Sequence, residues 1–318
     1  MNIIQKNIKP IIFFLMGPTA CGKSKFAINL RSYLPIELIS VDSALIYRDM
    51  NIGTSKPNDS DLLKHPHHLL NIKDPIESYS VAEFQKDVLK IIIKIIQSGK
   101  IPCLVGGTMF YYQALLYGLS ALPKSNQKIR EHILHIVKNK DCLHKQLKLI
   151  DPISAVRIHH NDIQRLLRAL EVFFITGKTI TELTQNNSYI LPYTVLQFAL
   201  MPPSKEWLYK QINFRLDQML FTGFQKEVEL LFYRGDLHIK LQSIRCIGYR
   251  QMWQYLEYKI SHQEMVYEII RSTRKLAKHQ LTWLKKWKNI YILDNQNFDL
   301  SIKKFLNIFN KKIIKCYS

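Results

Sequence analysis

IIFFLMGPTACGKS, residues Ile11 to Ser24, decides the fold. The run Ile11–Met16 is uniformly apolar and too short for a buried helix, so it reads as a strand covered on both faces. Gly17-Pro18-Thr19-Ala20-Cys21-Gly22-Lys23-Ser24 follows at once and matches the phosphate-loop pattern G-x4-G-K-S in full. Its glycines let backbone N–H groups turn inward and approach phosphate oxygens. Lys23 adds a point charge, the Ser24 hydroxyl suits Mg²⁺, and the helix expected over Lys25–Leu34 points its positive end at the same place. A plain tight turn is the alternative, but a strand before and a helix after argue for phosphate binding. The motif does not say whose phosphate, and ATP is its commonest occupant.

Outward from this loop, strand and helix alternate. Glu37–Val41 and Pro102–Val105 read as further strands. Ser80-Val81-Ala82-Glu83 has the capping-box form and opens a helix to Ser98, with Gly99 at its end. Residues 115–185 change to a helical pattern. Asp151-Pro152 is a cap followed by proline at the first helical position. Asn161/Asp162 cap a helix over Ile163–Ile175, on which Leu167, Leu170 and Phe174 share one face and Arg165 and Arg168 another. Strand character returns at Tyr193–Leu200. Two helices around Gly223, a loop through Gly235 and a long helical C-terminal half follow. The expected architecture is an α/β, P-loop NTPase-like parallel sheet flanked by helices with an all-helical insert. Residues 1–114 and 193–318 form the core and 115–192 the insert.

The chain has 318 residues, is 47% hydrophobic and carries 45 Lys plus Arg against 25 Asp plus Glu, a net charge of +20. Such a surplus suits a polyanionic partner. The visible enrichment in Lys, Ile and Asn leaves compositional drift as the other explanation. The five cysteines form no CxxC and suggest neither disulfides nor zinc, so a reducing cytoplasm is the default. The apolar run at Ile11–Met16 is too short for a signal segment, and no stretch approaches the roughly 20 apolar residues of a membrane span.

Asp42 and Thr108 stand just beyond two strand ends, where a parallel sheet lines its crevice. Asp42 can organise Mg²⁺ or act as a general base, or it can simply cap the next segment. Gly106-Gly107-Thr108 permits close backbone approach, though a glycine turn with a capping threonine explains it as well. His65, His67 and His68 form a loop cluster without metal-ligand spacing. Lys275, Lys278, Lys285 and Lys286 interleave with Trp283 and Trp287, a pattern suited to an RNA backbone. Packing of both tryptophans on the core is the favoured account of the rings.

Longer strings now join these sites: FLMGPTACGKS at 14–24, ELISVDSALIYRDMNIGTSKP at 37–57, LVGGTMFYYQALLYGLSALP at 104–123, DPISAVRIHHNDIQRLLRALEVFFITGKT at 151–179, QSIRCIGYRQMWQYLE at 242–257 and LAKHQLTWLKKW at 276–287. Together they closely resemble the bacterial tRNA dimethylallyltransferases, over all but about the last thirty residues. The resemblance implies transfer of a dimethylallyl group from its diphosphate to the exocyclic amine of the adenine 3′ to the anticodon, in tRNAs reading codons that begin with U. It implies that Thr19 to Ser24 lie at the donor with Mg²⁺ nearby, that Asp42 accepts the amine proton and that Thr108 positions it. Arg215 becomes an added diphosphate clamp. The implied tRNA contacts are Asp42, Ser43, Ala44 and Leu45; Arg130; Gln164, Arg165, Leu166, Leu167 and Arg168; Arg245, Cys246, Ile247, Gly248, Tyr249 and Arg250; and Lys278, His279, Gln280, Leu281, Thr282, Trp283, Leu284 and Lys285. Cys21, Leu167, His279 and Leu281 depart from the family's usual residues. The implied partners are dimethylallyl diphosphate and a tRNA anticodon stem-loop; no membrane, a monomer and a cytoplasmic location are the accompanying expectations.

Two other functions fit parts of the sequence. A small-molecule or nucleotide kinase would use the loop for ATP and ignore tRNA. A non-catalytic RNA-binding module would tolerate a degraded loop, and this loop and Asp42 are intact.

Overall fold

The computed structural model describes residues 9–137, 140–185 and 189–317, without the side chains of 140, 141 and 315–317. Residues 1–8 of the expected core and the side chain of Cys316 lie outside that description. The chain divides into two compact units, Met1–Ala114 with Pro192–Ser318, and Leu115–Leu191. The second boundary falls one residue before the expected 192/193 junction.

In the first unit the elements run β1 (Ile11–Met16), α1 (Lys23–Leu30), β2 (Ile36–Val41), α2 (Asp59–Lys64), β3 (His67–His68), α3 (Val81–Gln97) and β4 (Ile101–Gly106), followed by α4 (Met109–Tyr117), which ends past the Ala114 boundary. The insert holds α5 (Gln127–Ile136), α6 (Lys140–Ile150), α7 (Pro152–Arg157), α8 (Ile163–Thr176) and α9 (Ile180–Thr184). The first unit resumes with β5 (Thr194–Met201), α10 (Lys205–Phe221), α11 (Phe224–Phe232), α12 (Tyr249–Leu256), α13 (His262–Lys286), β6 (Ile290–Asp294) and α14 (Phe298–Tyr317).

The six strands form one sheet in the order β3-β2-β4-β1-β5-β6, every pair parallel. β1 lies inside the sheet and is buried on both faces. Phe13 and Leu15 pack with Phe26, Phe198, Phe305 and Phe309 on one side, while the Phe14 ring meets Tyr112 at 4.8 Å on the other. Each such buried aromatic contributes about 2 kcal/mol of apolar transfer, so the strand feeding the phosphate loop is firmly anchored.

Three local expectations need correction. α1 begins at Lys23 and ends at Leu30, not Lys25–Leu34, because Gly22 at φ 83° is its N-cap and the chain turns at Arg31. The helical C-terminal half contains a strand, β6, paired with β5; with only Leu293 of its five residues buried, it shows no alternating strand pattern. His67–His68 form a short strand against β2, with His68 Nε2 2.9 Å from Glu37 Oε2, rather than a loop. Caps behave as their chemistry demands: Ser80 and Glu83 close a capping box on α3, Asp151 caps α7, and Gly177 ends α8 at φ 69°.

The insert has its own core of Ile133, Leu143, Leu147, Ala155, Leu166, Ala169 and Leu170. Its buried α8 stripe is Leu166, Ala169 and Leu170; Leu167 is only partly buried and Phe174 is 47% exposed. The expected stripe through Phe174 is therefore displaced towards Leu166.

Candidate active site

One transverse row of the sheet sets the geometry. Met16 pairs with Gly106 across β1–β4, and Gly106 pairs with Val41 across β4–β2. The next residues are Gly17, Gly107 and Asp42, so the phosphate loop, the Thr108 turn and the carboxylate leave the sheet together at its carboxyl edge. Open α/β sheets bind ligands at that edge. With strands about 4.8 Å apart, Asp42 leaves the sheet about 10 Å from Gly17. Gly106 is required in this row, since a Cβ there would collide with the Val41 carbonyl.

The loop turns through two left-handed residues, Ala20 at φ 60° and Gly22 at φ 83°. Lys23 Nζ donates to the Pro18 carbonyl at 2.6 Å, folded back over the loop. Ser24 is exposed on the first turn of α1 and makes no hydrogen bond through its hydroxyl among the described residues. Cys21 is fully buried, with Sγ 3.5 Å from the Leu200 carbonyl, and burial pushes its thiol up. It fills space under the loop.

Thr19 is tied on both sides. Its hydroxyl accepts from Arg215 Nη1 at 3.0 Å, and its amide donates to Gln280 Oε1 at 2.9 Å. The other Arg215 amino group donates to the Thr54 carbonyl at 3.0 Å. Burial presses the Arg215 guanidinium below its ordinary value, and the Asp42 charge opposes this. The structure thus brings Asp42, Arg215 and Thr19 into one electrostatic neighbourhood.

Asp42 caps the next segment through one oxygen and leaves the other open. Oδ1 accepts from the amides of Ala44 at 2.7 Å and Leu45 at 3.2 Å, a cap. Oδ2 has no hydrogen-bond partner among the described residues and is available as an acceptor. The Thr108 amide donates to the Val41 carbonyl at 3.3 Å, which places Thr108 beside Asp42. Burial, then the Asp42 charge, pushes the Cys246 thiol up to about 12, so Cys246 lies within the field of the same carboxylate.

The residues expected to meet tRNA separate into groups. Arg245, Arg250, Lys278, His279, Thr282, Trp283 and Lys285 are exposed, and Ser43, Ala44, Leu45, Cys246, Ile247 and Leu281 are partly so. In the insert, Gln164 and Arg165 are exposed. Several side chains are not available as contacts. Leu166, Gly248, Tyr249 and Leu284 are buried, with the Tyr249 hydroxyl donating to Glu227 Oε1 at 2.5 Å. Arg130 and Arg168 are spent inside the insert on Glu171, at 3.0 Å and 2.6 Å. Leu166, Tyr249 and Leu284 are expected as parts of longer strings, and such strings include the residues that hold a helix down; Arg130 and Arg168 stay partly exposed beside Glu171. The tryptophans split. Trp287 is partly buried and donates its indole N–H to Gln197 Oε1 at 2.7 Å, whereas Trp283 stays 38% exposed.

Sequence reasoning missed Glu227. Its carboxylate accepts from three successive amides, Asn51, Ile52 and Gly53, at 2.8, 2.7 and 3.0 Å, and so fixes the turn that presents the Thr54 carbonyl to Arg215. No signal on α11 distinguishes it from a surface glutamate. A cavity of 530 Å³ opens beside Arg215, bordered by Asn51, Lys56, Asn71 and Met219.

A protein-family model described as IPP transferase matches residues 45–287. The tRNA dimethylallyltransferase of Buchnera aphidicola subsp. Acyrthosiphon pisum (strain APS) is 63% identical over 98% of this chain and 98% of its own length. The chain belongs to the IPP transferase family. Another relative of the same name, from Buchnera aphidicola subsp. Baizongia pistaciae, is 54% identical over 97% of each chain. The family's fold is also this one. The crystal structure of the full-length tRNA isopentenylpyrophosphate transferase from Bacillus halodurans superposes with a TM-score of 0.72 at 34% identity, covering 97% of this chain and 98% of that one. A eukaryotic dimethylallyltransferase acting on tRNA gives 0.82 at 27% identity over 96% of this chain and 80% of its own. Membership makes the chain an enzyme, a prenyltransferase, and leaves the kinase alternative without support. Among the described residues no helix is long and apolar enough to cross a membrane.

Proposed function

We propose that this enzyme transfers the dimethylallyl group of dimethylallyl diphosphate to N6 of adenine 37, 3′ to the anticodon, in tRNAs reading codons that begin with U. The observation that carries the chemistry is the row Met16–Gly106–Val41, which sets a phosphate loop and a half-satisfied carboxylate at one sheet edge. The allylic C–O bond breaks and its electron pair leaves on the diphosphate. Lys23, the loop amides and Arg215, bridged through Thr19, stabilise that growing charge. The exocyclic amine forms the new N–C bond, and Asp42 Oδ2 takes its proton. Thr108 orients the pair.

The residues suit Mg²⁺ in one way only. No group of three or more His, Cys, Asp or Glu among the described residues could hold the ion alone. Mg²⁺ commonly takes one or two protein ligands and completes its shell with water and substrate phosphates, and the unengaged Ser24 hydroxyl supplies such a ligand. The ion would neutralise charge on the leaving diphosphate.

For the adenine to reach Asp42 it must leave its loop stack, at a cost of a few kcal/mol. Lys278, Lys285, Arg245 and Arg250 are exposed cations suited to the surrounding phosphates. The enzyme acts as a cytoplasmic monomer. The deciding experiment mixes pure protein, labelled dimethylallyl diphosphate, Mg²⁺ and an anticodon stem-loop. Label in the RNA is expected; its absence with active protein sinks the proposal.

A further inference from the structure

The buried face of α13 runs through Met265, Ile269, Ala277, Gln280 and Leu284. Gln280 is the polar member of this stripe and only 8% exposed. Burying a carboxamide is unfavourable unless both its ends are bonded, and here both are. Oε1 accepts the Thr19 amide at 2.9 Å, and Nε2 donates to the Gly107 carbonyl at 2.8 Å. These two backbone groups belong to different turns, the phosphate loop after β1 and the Thr108 turn after β4.

Met16–Gly106 is the last ladder pair between those strands. The Gln280 amide continues the ladder one step past the sheet, acting as a substitute peptide group between the diverging turns. Gly107 accommodates it: a Cβ there would collide with the Gln280 amide. The neighbours Lys278, His279 and Thr282 point outwards, so one helix turn carries exposed polar side chains and an inward-facing clamp.

We propose that Gln280 is a positioning residue for the diphosphate, holding the phosphate loop and the Thr108 turn together, and not a tRNA contact. Its kinetic consequences rest on the prenyl-transfer function proposed above. Because the clamp fixes Thr19 before the ligand arrives, the loop loses less freedom on binding. Removing it weakens the grip on diphosphate and leaves the grip on RNA alone.

The test compares wild type with Gln280→Ala and with Gln280→Met, which keeps the volume and removes both hydrogen bonds. Two measurements are made: binding of inorganic pyrophosphate with Mg²⁺ by calorimetry, and KM for each substrate. The expected result is a rise of about tenfold in the pyrophosphate Kd and in KM for dimethylallyl diphosphate, the scale of the one lost hydrogen bond that reaches the phosphate loop, with KM for the anticodon stem-loop unchanged. Lys278→Ala gives the opposite split. A stem-loop KM that rises while pyrophosphate binds as in wild type overturns the proposal. So does a lowered melting temperature with both constants unchanged, since the amide would then serve only the fold. Pyrophosphate binding does not need prenyl transfer, so a wild type that transfers nothing would sink the proposed function and still leave this arm to decide Gln280.

Discussion

Asp42 in the α/β unit and Glu171 in the helical insert are both carboxylates with arginine in their surroundings, and their fates are opposite. Glu171 is fully buried and saturated: it accepts from Ser125 Oγ, the Asn126 amide, two nitrogens of Arg130 and one of Arg168, at 2.6–3.1 Å. Burial alone would raise it, but these donors outweigh burial and bring it to about 2. Asp42 is half-buried, spends one oxygen on two amides and keeps the other open. A carboxylate with every lone pair engaged organises a fold. One with an unspent oxygen at a strand end can accept a proton. The contrast extends to the arginines: Arg130 and Arg168 neutralise the insert's own glutamate, while Arg215 is tied to the phosphate loop through Thr19.

The comparison can be broken in four ways. Asp42→Asn should give the largest effect, a drop of about 10²–10⁴-fold in kcat for label transfer at an unchanged melting temperature; near-normal turnover would remove Asp42 as the base. Glu171→Gln should do the reverse. Unpairing two arginines in the insert should cost about 3 kcal/mol in urea unfolding, near the low end for a broken buried pair because both arginines are partly exposed. Pyrophosphate binding at the phosphate loop should not change. An unfolding curve like that of wild type would end the structural role of Glu171.

The third effect is pH-dependent. The folded value of Glu171 lies below its ordinary 4.5, so its contribution is fully present above 4.5 and is lost as pH falls towards about 2. The stability gap between wild type and Glu171→Gln should therefore shrink over that acid window, as melts at stepped pH would reveal. A gap that stays constant would mean that the pair adds nothing specific to the charged form. The smallest effect is at the surface: Lys285→Ala should lower the salt-dependence slope of stem-loop binding by about 1 or less, without altering pyrophosphate affinity. A slope equal to that of wild type would place Lys285 off the RNA path.

Much of the local chemistry of the candidate site is legible in the chain itself. Gly17–Ser24, Asp42 and Thr108 carry local chemistry, since a glycine turn, a short carboxylate and a hydroxyl at strand ends act through their own backbone. The caps of α3, α7 and α8 were legible for the same reason. The fate of the arginines was not: Arg165 and Arg168 look equivalent on α8, yet Arg165 is 72% exposed and Arg168 is held on Glu171. Exposure depends on what the insert packs beneath each position. β6 was missed because a strand's identity lies in its partner, β5, almost a hundred residues away in the chain.

The sequence by itself determined the phosphate loop, the strand–helix alternation, the helical insert and, through its long matching strings, the family. Each is a property of neighbouring residues or of the string itself. Only the tertiary structure decided that Met16, Gly106 and Val41 form one row, that Glu227 and Gln280 brace the turns around Thr19, and that Arg130 and Arg168 belong to Glu171. Those partners are remote in the chain, and a hydrogen bond between distant residues depends on packing that no local pattern encodes.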